Sequence, residues 1–161
     1  MQNNHSTIVL FCNEIVDTAR TWLGTPYHHQ ARLKGVGCDC LGLVVGIADE
    51  LGLKHADGRP LSGFDETDYS RQPDGERLTR MLQSLLREVP TTDAAPGDLA
   101  LFSIEGNPQH VGLLSDYEGG LGVIHSYAPS RKVVEHRLDK KWQARIVAVF
   151  RLAAPRAQHS S

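Results

Sequence analysis

Residues 37–42, Gly-Cys-Asp-Cys-Leu-Gly, constrain the fold of this chain more than any other stretch. Small, turn-forming residues lead into an aspartate that can cap a helix, and apolar side chains then recur at helical spacing. These side chains are Leu41, Val44, Val45, Ala48 and Leu51. The pattern predicts a helix from Asp39 to about Leu51 with Cys40 in its first turn. A thiol near the partial positive charge of a helix N-terminus ionises more easily than a free thiol, so Cys40 is a candidate nucleophile.

Two histidines in the second half of the chain are candidates to serve this nucleophile, which needs a base and a group that orients the base. His110 and His125 lie in apolar segments separated by a turn-rich stretch. In a hairpin with a four-residue loop at 117–120, Gly112 faces His125, and His110 lies diagonally adjacent on the same face. A loop one residue longer or shorter puts the histidines on opposite faces, so the pairing register decides whether they meet.

The chain has 161 residues, a length that suits one hydrophobic core. We predict a flexible N-terminal arm over residues 1–12, a single domain over residues 13–152 and a polar tail over residues 153–161. The first helix of the domain is expected from Glu14 to Leu23, with Asn13 as its N-cap.

Helices are expected in the first half of the chain and short strands in the second. A third helix is predicted from a cap at Asp74 to about Glu88, after an irregular stretch over residues 53–73 that we place beside a cleft. The hydrophobic period then becomes alternating, which predicts five strands: Asp98–Phe102, His110–Ser115, Gly122–Tyr127, Val133–Leu138 and Arg145–Leu152. Helices followed by strands with hairpin-length connections indicate an α+β domain with an antiparallel sheet of five to six strands.

Charge and hydropathy exclude several classes of partner. The formal net charge is −2 and the basic residues are scattered, so no basic stripe is available for nucleic acid. The sequence has no apolar run of about 18 residues, which argues against membrane insertion. The N-terminal residues lack the basic and apolar regions of a secretory signal, so we expect synthesis in the cytoplasm without a signal peptide. Three cysteines, an odd number, fit a reducing compartment better than a disulfide framework.

The order of these motifs resembles the NlpC-type peptidoglycan cysteine peptidases, which have a papain-like fold. The similarity covers residues 14–152. The motifs that carry it are Pro26-Tyr27, Asp39-Cys40-Leu41-Gly42, Pro96-Gly97-Asp98-Leu99, His110-Val111-Gly112 and Ile124-His125. Two further segments, 22–30 and 145–151, resemble the phage and gene-transfer-agent tail branch of the family.

The resemblance implies three catalytic residues. Cys40 corresponds to the nucleophile, His110 to the general base, and His125 to the polar residue that orients His110. The chain departs from the family at position 41, where Leu41 stands in place of the common serine. We expect this departure to change the wall of the cleft rather than the chemistry.

Three residues near the nucleophile are predicted to contact substrate. Tyr27 matches the tyrosine that lines the site in the family, and we place Asp39, which is also the predicted helix cap, and His28 in the same cleft. His28 and His29 are adjacent and have no accompanying carboxylate cluster, which disfavours metal binding by the pair. Cys38 stands in a Cys-x-Cys rather than a Cys-x-x-Cys spacing, so it is expected to be a packed or co-oxidised bystander. Neither a metal nor a cofactor is predicted.

Other conspicuous side chains are assigned passive roles. His136 is expected on an exposed strand face. Trp22 and Trp142 are expected to pack in the interior rather than to stack on carbohydrate, and Cys12 is expected to be inert.

The resemblance implies hydrolysis of an amide bond in a peptidoglycan stem peptide, typically the bond between the side chain of D-glutamate and meso-diaminopimelate. Its tail-branch segments imply assembly into a phage or phage-like tail, with tail proteins as partners. Two alternatives remain open. One is a structural tail-tip or assembly protein that keeps the fold without activity, and the other is a different papain-like amidase or acyltransferase.

Overall fold

The computed structural model describes residues 3–55, 57–64 and 75–152. The helices are α1 (Asn3–Arg20), α2 (Cys40–Glu50), α3 (Gly75–Leu85) and α4 (Lys140–Ala144). The strands are β1 (Arg32–Leu33), β2 (Gly37–Cys38), β3 (Arg87–Val89), β4 (Leu99–Ile104), β5 (Asn107–Tyr117), β6 (Gly120–Tyr127), β7 (Lys132–Arg137) and β8 (Ile146–Arg151). No helix in the described ranges has both the length and the apolar character needed to cross a bilayer.

Six strands form one antiparallel sheet in the order β3-β8-β4-β5-β6-β7, and β1 pairs with β2 in a separate hairpin. This arrangement confirms the predicted α+β class and the sheet of five to six strands. Strand β3 was not predicted, because its residues were assigned to the end of the third helix. That helix ends at Leu85 instead of Glu88, and Val89 pairs with Val149 at the edge of the sheet.

Both faces of the main sheet are buried, and side chains that alternate along its strands enter two different clusters. On β4, Leu99 and Leu101 belong to the larger core, which also contains buried side chains of α1, α2 and α3. Ala100 and Phe102 belong to a second cluster, which contains Trp142 of α4. Burial on both sides determines the register of the central strands, since a slip of one residue would exchange the two sets of side chains.

Helix α1 begins at Asn3, so the predicted start at Glu14 with Asn13 as the cap is wrong. Residues 3–12, which were predicted to lie in a flexible arm, are helical. The described buried stripe of α1 is Phe11, Ile15, Val16 and Ala19. Residues 1 and 2 and the predicted tail over residues 153–161 lie outside the described residues.

Helix α2 agrees with its prediction. The Asp39 side chain caps it by accepting a hydrogen bond of 2.8 Å from the backbone N–H of Gly42. Leu51 forms the C-cap, and Gly52 follows with φ of 62°, in the left-handed region that favours glycine. Gly42 also lets the helix approach the preceding loop, because a Cβ there would collide with the carbonyl oxygen of Ala31.

Strands β5 and β6 form the predicted hairpin. Tyr117 pairs with Gly120, and the two residues between them have φ of 45° and 81°, as a tight hairpin turn requires. The ladder continues to the pair Leu113 and Ile124, which is the register predicted from a loop at 117–120. This register puts His110 and His125 on one face of the sheet.

The stretch between α2 and α3 is described in part. Lys54 and Pro60 form an antiparallel bridge, and a 3-10 turn follows over Leu61–Phe64. Residues 56 and 65–74 lie outside the described residues, and with them the predicted cap at Asp74.

Candidate active site

The segment over residues 38–40 lies between two strands of the sheet. The ladder between β5 and β6 ends before the strands do, and each strand then contacts this segment. On β6, the Ser126 hydroxyl donates a hydrogen bond of 2.7 Å to the carbonyl oxygen of Cys38. On β5, the backbone N–H of Val111 interacts with the thiol of Cys40. The candidate nucleophile therefore lies where β5 and β6 separate, next to the residue that follows His110.

Burial and helix position act in opposite directions on the candidate nucleophile. The pKa of the Cys40 thiol is raised to about 11, first by burial and then by the neighbouring Asp39 carboxylate. The backbone N–H groups of Val111 and Leu41, and then Arg32, act to lower it. The expectation of an easily ionised thiol is therefore wrong, since burial outweighs the helix N-terminus. At neutral pH the thiol is protonated and needs a base.

His110 and His125 meet as the register predicts, with Nε2 of His110 lying 2.7 Å from Nδ1 of His125. His110 is 7% exposed and His125 is fully enclosed. Burial, assisted by the charge of Arg145, lowers the pKa of His110 to about 4. Burial, assisted by the rings of His110 and His136, lowers the pKa of His125 to about 2. Both imidazoles are neutral at pH 7, so His110 is in the form that accepts a proton.

Gly112 provides the space predicted for His125. A Cβ at Gly112 would lie 2.7 Å from Cγ2 of Val123 and 3.2 Å from both Cβ of His125 and the ring of Phe102. Distances this short require neighbouring side chains to move. Because Gly112 has no side chain, the His125 side chain can lie close to strand β5 at this position.

His136 joins the two histidines, so the predicted location on an exposed strand face is wrong. Its Nε2 lies 2.9 Å from Nε2 of His125, and its side chain is half-buried. On β7, Val134 pairs with His125 and His136 pairs with Val123. His136 is therefore a diagonal neighbour of His125 on the same face of the sheet. Alternation along β7 shows that His136 shares a face with Val134. It predicts the contact with His125 only when the β6–β7 register is known.

Two aromatic rings pack against this group of imidazoles. Tyr127 stacks on His125, with ring centroids 5.1 Å apart and planes inclined by 13°. Trp142 meets His125 edge-on at 4.9 Å and lies 6.0 Å from His110 and 5.6 Å from His136. The packing role predicted for Trp142 is confirmed, because this ring contacts every histidine of the group.

The Asp39 carboxylate links the preceding loop to helix α2 through hydrogen bonds. Besides Gly42, its Oδ1 accepts a hydrogen bond of 2.9 Å from the Arg32 guanidinium, and its Oδ2 accepts one of 2.8 Å from the backbone N–H of Gln30. Asp39 is only 3% exposed. The predicted capping role is confirmed, and its role in binding substrate stays a prediction.

Comparison with known proteins places the chain in a family. The NlpC/P60 family profile matches residues 24–151, a range that contains Cys40, His110 and His125. The chain belongs to the NlpC/P60 family. No curated protein sequence matches it significantly.

Solved structures show the same fold at low sequence identity. The NlpC/P60 domain of the peptidoglycan hydrolase SagA is 22% identical with a TM-score of 0.57, and the match covers 86% of this chain and 97% of that one. An NlpC/P60 family protein from Bacillus cereus is 20% identical with a TM-score of 0.61, over 89% of this chain and 40% of that one. An N-acetylmuramoyl-L-alanine amidase from Bacteroides uniformis is 14% identical with a TM-score of 0.58, over 89% of this chain and 99% of that one.

In this NlpC/P60 domain, Tyr27 and His28 lie along the segment that carries the nucleophile. Tyr27 forms a parallel bridge with Cys38, and its N–H donates a hydrogen bond of 2.8 Å to the carbonyl oxygen of Arg131. The N–H of His28 donates 3.1 Å to the carbonyl oxygen of Cys38, and its ring is exposed, with Nδ1 3.1 Å from the carbonyl oxygen of His29. The backbones of both residues are therefore held next to Cys38. Contact of their side chains with substrate stays a prediction.

The other two cysteines occupy different environments from Cys40. Cys38 is completely buried, and burial raises its pKa to about 11. Burial also raises the pKa of Cys12 in helix α1. All three thiols are free. Cys40 differs from the others by its position at the start of a helix and beside the strand that carries His110.

Proposed function

We propose that this NlpC/P60 protein is a cysteine peptidase that hydrolyses amide bonds in the stem peptides of peptidoglycan. The observation that carries the proposal is the buried hydrogen bond between His110 and His125 on the strands that flank Cys40. A neutral imidazole oriented by a second polar group is what a cysteine nucleophile requires of its base. The names of two structural relatives, a peptidoglycan hydrolase and an N-acetylmuramoyl-L-alanine amidase, support the same polymer as the substrate.

In the first step Cys40 attacks the carbonyl carbon of the amide. Because Nε2 of His110 is hydrogen-bonded to Nδ1 of His125, Nδ1 of His110 is the nitrogen available to take the thiol proton. The new S–C bond places negative charge on the carbonyl oxygen. The backbone N–H of Cys40 is a suitable donor to this oxygen, since the first N–H groups of a helix have no partner within it.

In the second step the tetrahedral intermediate collapses. His110 returns its proton to the leaving nitrogen, the C–N bond breaks and an amine departs, which leaves a thioester on Cys40. Water then attacks the thioester with His110 again acting as the base, and the products are a carboxylate and the free thiol. Thiol and imidazole are both neutral at rest, so the thiol proton has to pass to His110 before or while the S–C bond forms.

The bond we propose is the one between the side chain of D-glutamate and meso-diaminopimelate. The resemblance of the motifs around Cys40, His110 and His125 to the NlpC-type peptidases supports this choice. The bond between N-acetylmuramic acid and L-alanine is the second candidate, because one structural relative carries that activity in its name.

Mass spectrometry of the fragments obtained when treated sacculi are digested with a muramidase tests the proposal, because the muramidase cuts the glycan strands into disaccharides. Cleavage at the proposed bond yields a disaccharide that retains L-alanine and D-glutamate, together with a peptide that begins at diaminopimelate. Cleavage at the second bond yields a disaccharide without any peptide and would correct the bond while keeping the enzyme class. Muropeptides unchanged by a folded protein would refute hydrolysis of peptidoglycan.

We also propose that the protein works within a phage or phage-like tail, as the similarity over residues 22–30 and 145–151 supports. Quantitative proteomics of purified particles from the producing strain is the test. The proposal expects the chain to co-purify with tail proteins at a constant ratio. A particle fraction free of the chain would contradict it.

A further inference from the structure

The imidazoles of His110, His125 and His136 form a continuous hydrogen-bonded chain with a defined end. The links are 2.7 Å between His110 and His125 and 2.9 Å between His125 and His136. The last ring is anchored by its Nδ1, which lies 2.9 Å from the backbone carbonyl oxygen of Arg137. Two imidazoles on one zinc ion would each be about 2.0–2.1 Å from the metal and more than about 3 Å from one another. The observed contacts are therefore hydrogen bonds between rings and not ligands of a shared cation.

The carbonyl oxygen determines where the protons of this chain lie. A carbonyl oxygen only accepts, so Nδ1 of His136 carries the hydrogen and Nε2 of a neutral His136 is an acceptor. Nε2 of His125 must then donate to it, which leaves Nδ1 of His125 without hydrogen. Nε2 of His110 must in turn donate to that nitrogen. The remaining nitrogen, Nδ1 of His110, carries no hydrogen and has a free lone pair.

We propose that His136 is a positioning residue that selects the catalytic tautomer of His110 through His125. The effect on kcat rests on the proposed function. The tautomers themselves can be measured whether or not the protein hydrolyses peptidoglycan. His136 acts by accepting a hydrogen bond from the Nε2–H of His125. As a result Nδ1 of His110, the base nitrogen, carries no hydrogen, and its lone pair points away from the row of imidazoles.

The surroundings of His125 make this selection necessary. The ring is completely buried between Tyr127 and Trp142, so it has no water to take the place of a lost partner. Without an acceptor at position 136, a hydrogen on Nε2 of His125 would be unpaired, which is unfavourable in a buried site. His125 would then shift its hydrogen to Nδ1 and donate to His110. Nδ1 of His110 would carry the hydrogen and could no longer take the proton from the thiol.

Two substitutions of similar size separate this role from packing. His136→Leu removes the acceptor, whereas His136→Gln keeps a side-chain carbonyl that can accept from His125. We expect kcat on a soluble muropeptide to fall about tenfold or more in His136→Leu, with KM little changed, because the wrong tautomer of His110 forfeits part of a general-base contribution of about 10²–10⁴-fold. His136→Gln should recover most of kcat. Arg87→Leu, a substitution of an exposed side chain on β3 at the opposite edge of the sheet from β7, is the control and should match the parent.

The outcomes of this kinetic comparison are distinct. Parent-like kcat in His136→Leu would overturn the proposal. Equal losses in the two variants would also overturn it, because an acceptor at position 136 would then make no difference.

Nitrogen-15 NMR of the imidazoles measures the tautomers directly in the parent protein. A bare ring nitrogen and an N–H nitrogen have well-separated chemical shifts. We expect hydrogen on Nε2 of His110, on Nε2 of His125 and on Nδ1 of His136, and we expect His125 to change tautomer in His136→Leu. The opposite pattern in the parent would overturn the proposal even if its variants do not fold. If the parent shows the expected tautomers but cleaves no peptidoglycan, the proposed function fails and the tautomer chain stands.

Discussion

Lowering the pH from about 7 to about 5 should destabilise the fold through His110 and His125. Their pKa values are lowered to about 4 and about 2 in the folded protein, whereas an unfolded histidine has a pKa of about 6.5. Between these values the unfolded chain binds protons that the folded chain does not bind. The free energy of unfolding is therefore at its full value above about pH 6.5 and decreases as the pH falls toward the folded pKa values.

The magnitude follows from the size of these shifts. Each histidine that stays neutral in the folded state lowers the free energy of unfolding by about 1.4 kcal/mol per pH unit below pH 6.5. At about pH 5 this amounts to about 2 kcal/mol for His110 and roughly twice that for the pair. Losses of this size are large beside a typical stability of about 5–15 kcal/mol.

Urea unfolding followed by circular dichroism at a series of pH values measures this dependence. His125→Gln removes one of the two buried imidazoles, so its plot of unfolding free energy against pH should be less steep than that of the parent by about 1.4 kcal/mol per pH unit. Comparing slopes cancels the contribution of titrating groups that lie away from His125. Parallel slopes for the parent and His125→Gln between about pH 6 and pH 5 would refute the burial argument.

Three further perturbations test the parts of the site. Ser126→Ala should lower the free energy of unfolding by about 0.5–1.5 kcal/mol because it removes the hydroxyl donor to the Cys38 carbonyl oxygen, which keeps the hydrogen bond from the backbone N–H of His28. Its matched control is Ser115→Ala, which removes a buried hydroxyl that has no hydrogen-bond partner among the described residues; equal losses in urea unfolding would contradict the account. Gly112→Ala should lower the melting temperature and the activity because its Cβ has no room, and parent-like values of both would argue against it. Alkylation of Cys40 by iodoacetamide should still accelerate above about pH 9, since its pKa is raised to about 11, whereas a plateau below about pH 8 would show an activated thiolate.

The position of the nucleophile could be predicted because its signals are local. The cap, the thiol and the close-packed glycine all lie within residues 37–42, and the helix that follows has a regular apolar stripe. The hairpin that joins β5 and β6 was predictable for a similar reason. Its turn residues set the loop length, and the loop length sets which face carries His110 and His125.

The parts that escaped prediction depend on distant segments of the chain. Ser126 and Cys38 are hydrogen-bonded across 88 residues, and no local pattern marks that contact. His136 contacts His125 because of the register between β6 and β7. Alternation within one strand does not predict that register. The ionisation of Cys40 was wrongly predicted because the helix start is a local feature, whereas burial of the thiol results from the whole fold.

The start of α1 was also missed, for a different reason. The run Ile8-Val9-Leu10-Phe11 is apolar and partly β-branched, and it was assigned to the flexible N-terminal arm. Phe11 lies four residues before Ile15, which continues the helical stripe toward the N-terminus. Burial of that stripe against helix α2 and strand β5 overrides the local preference for extended backbone.

The most direct test of the account compares hydrolysis of purified sacculi by the parent, Cys40→Ala and Cys38→Ala. The measurement is the initial rate at which new amino groups appear, with thermal unfolding used to verify that all three proteins are folded. We predict that Cys40→Ala releases none above background while Cys38→Ala retains activity close to the parent. Hydrolysis by folded Cys40→Ala at the parent rate would contradict the assignment of Cys40 as the nucleophile.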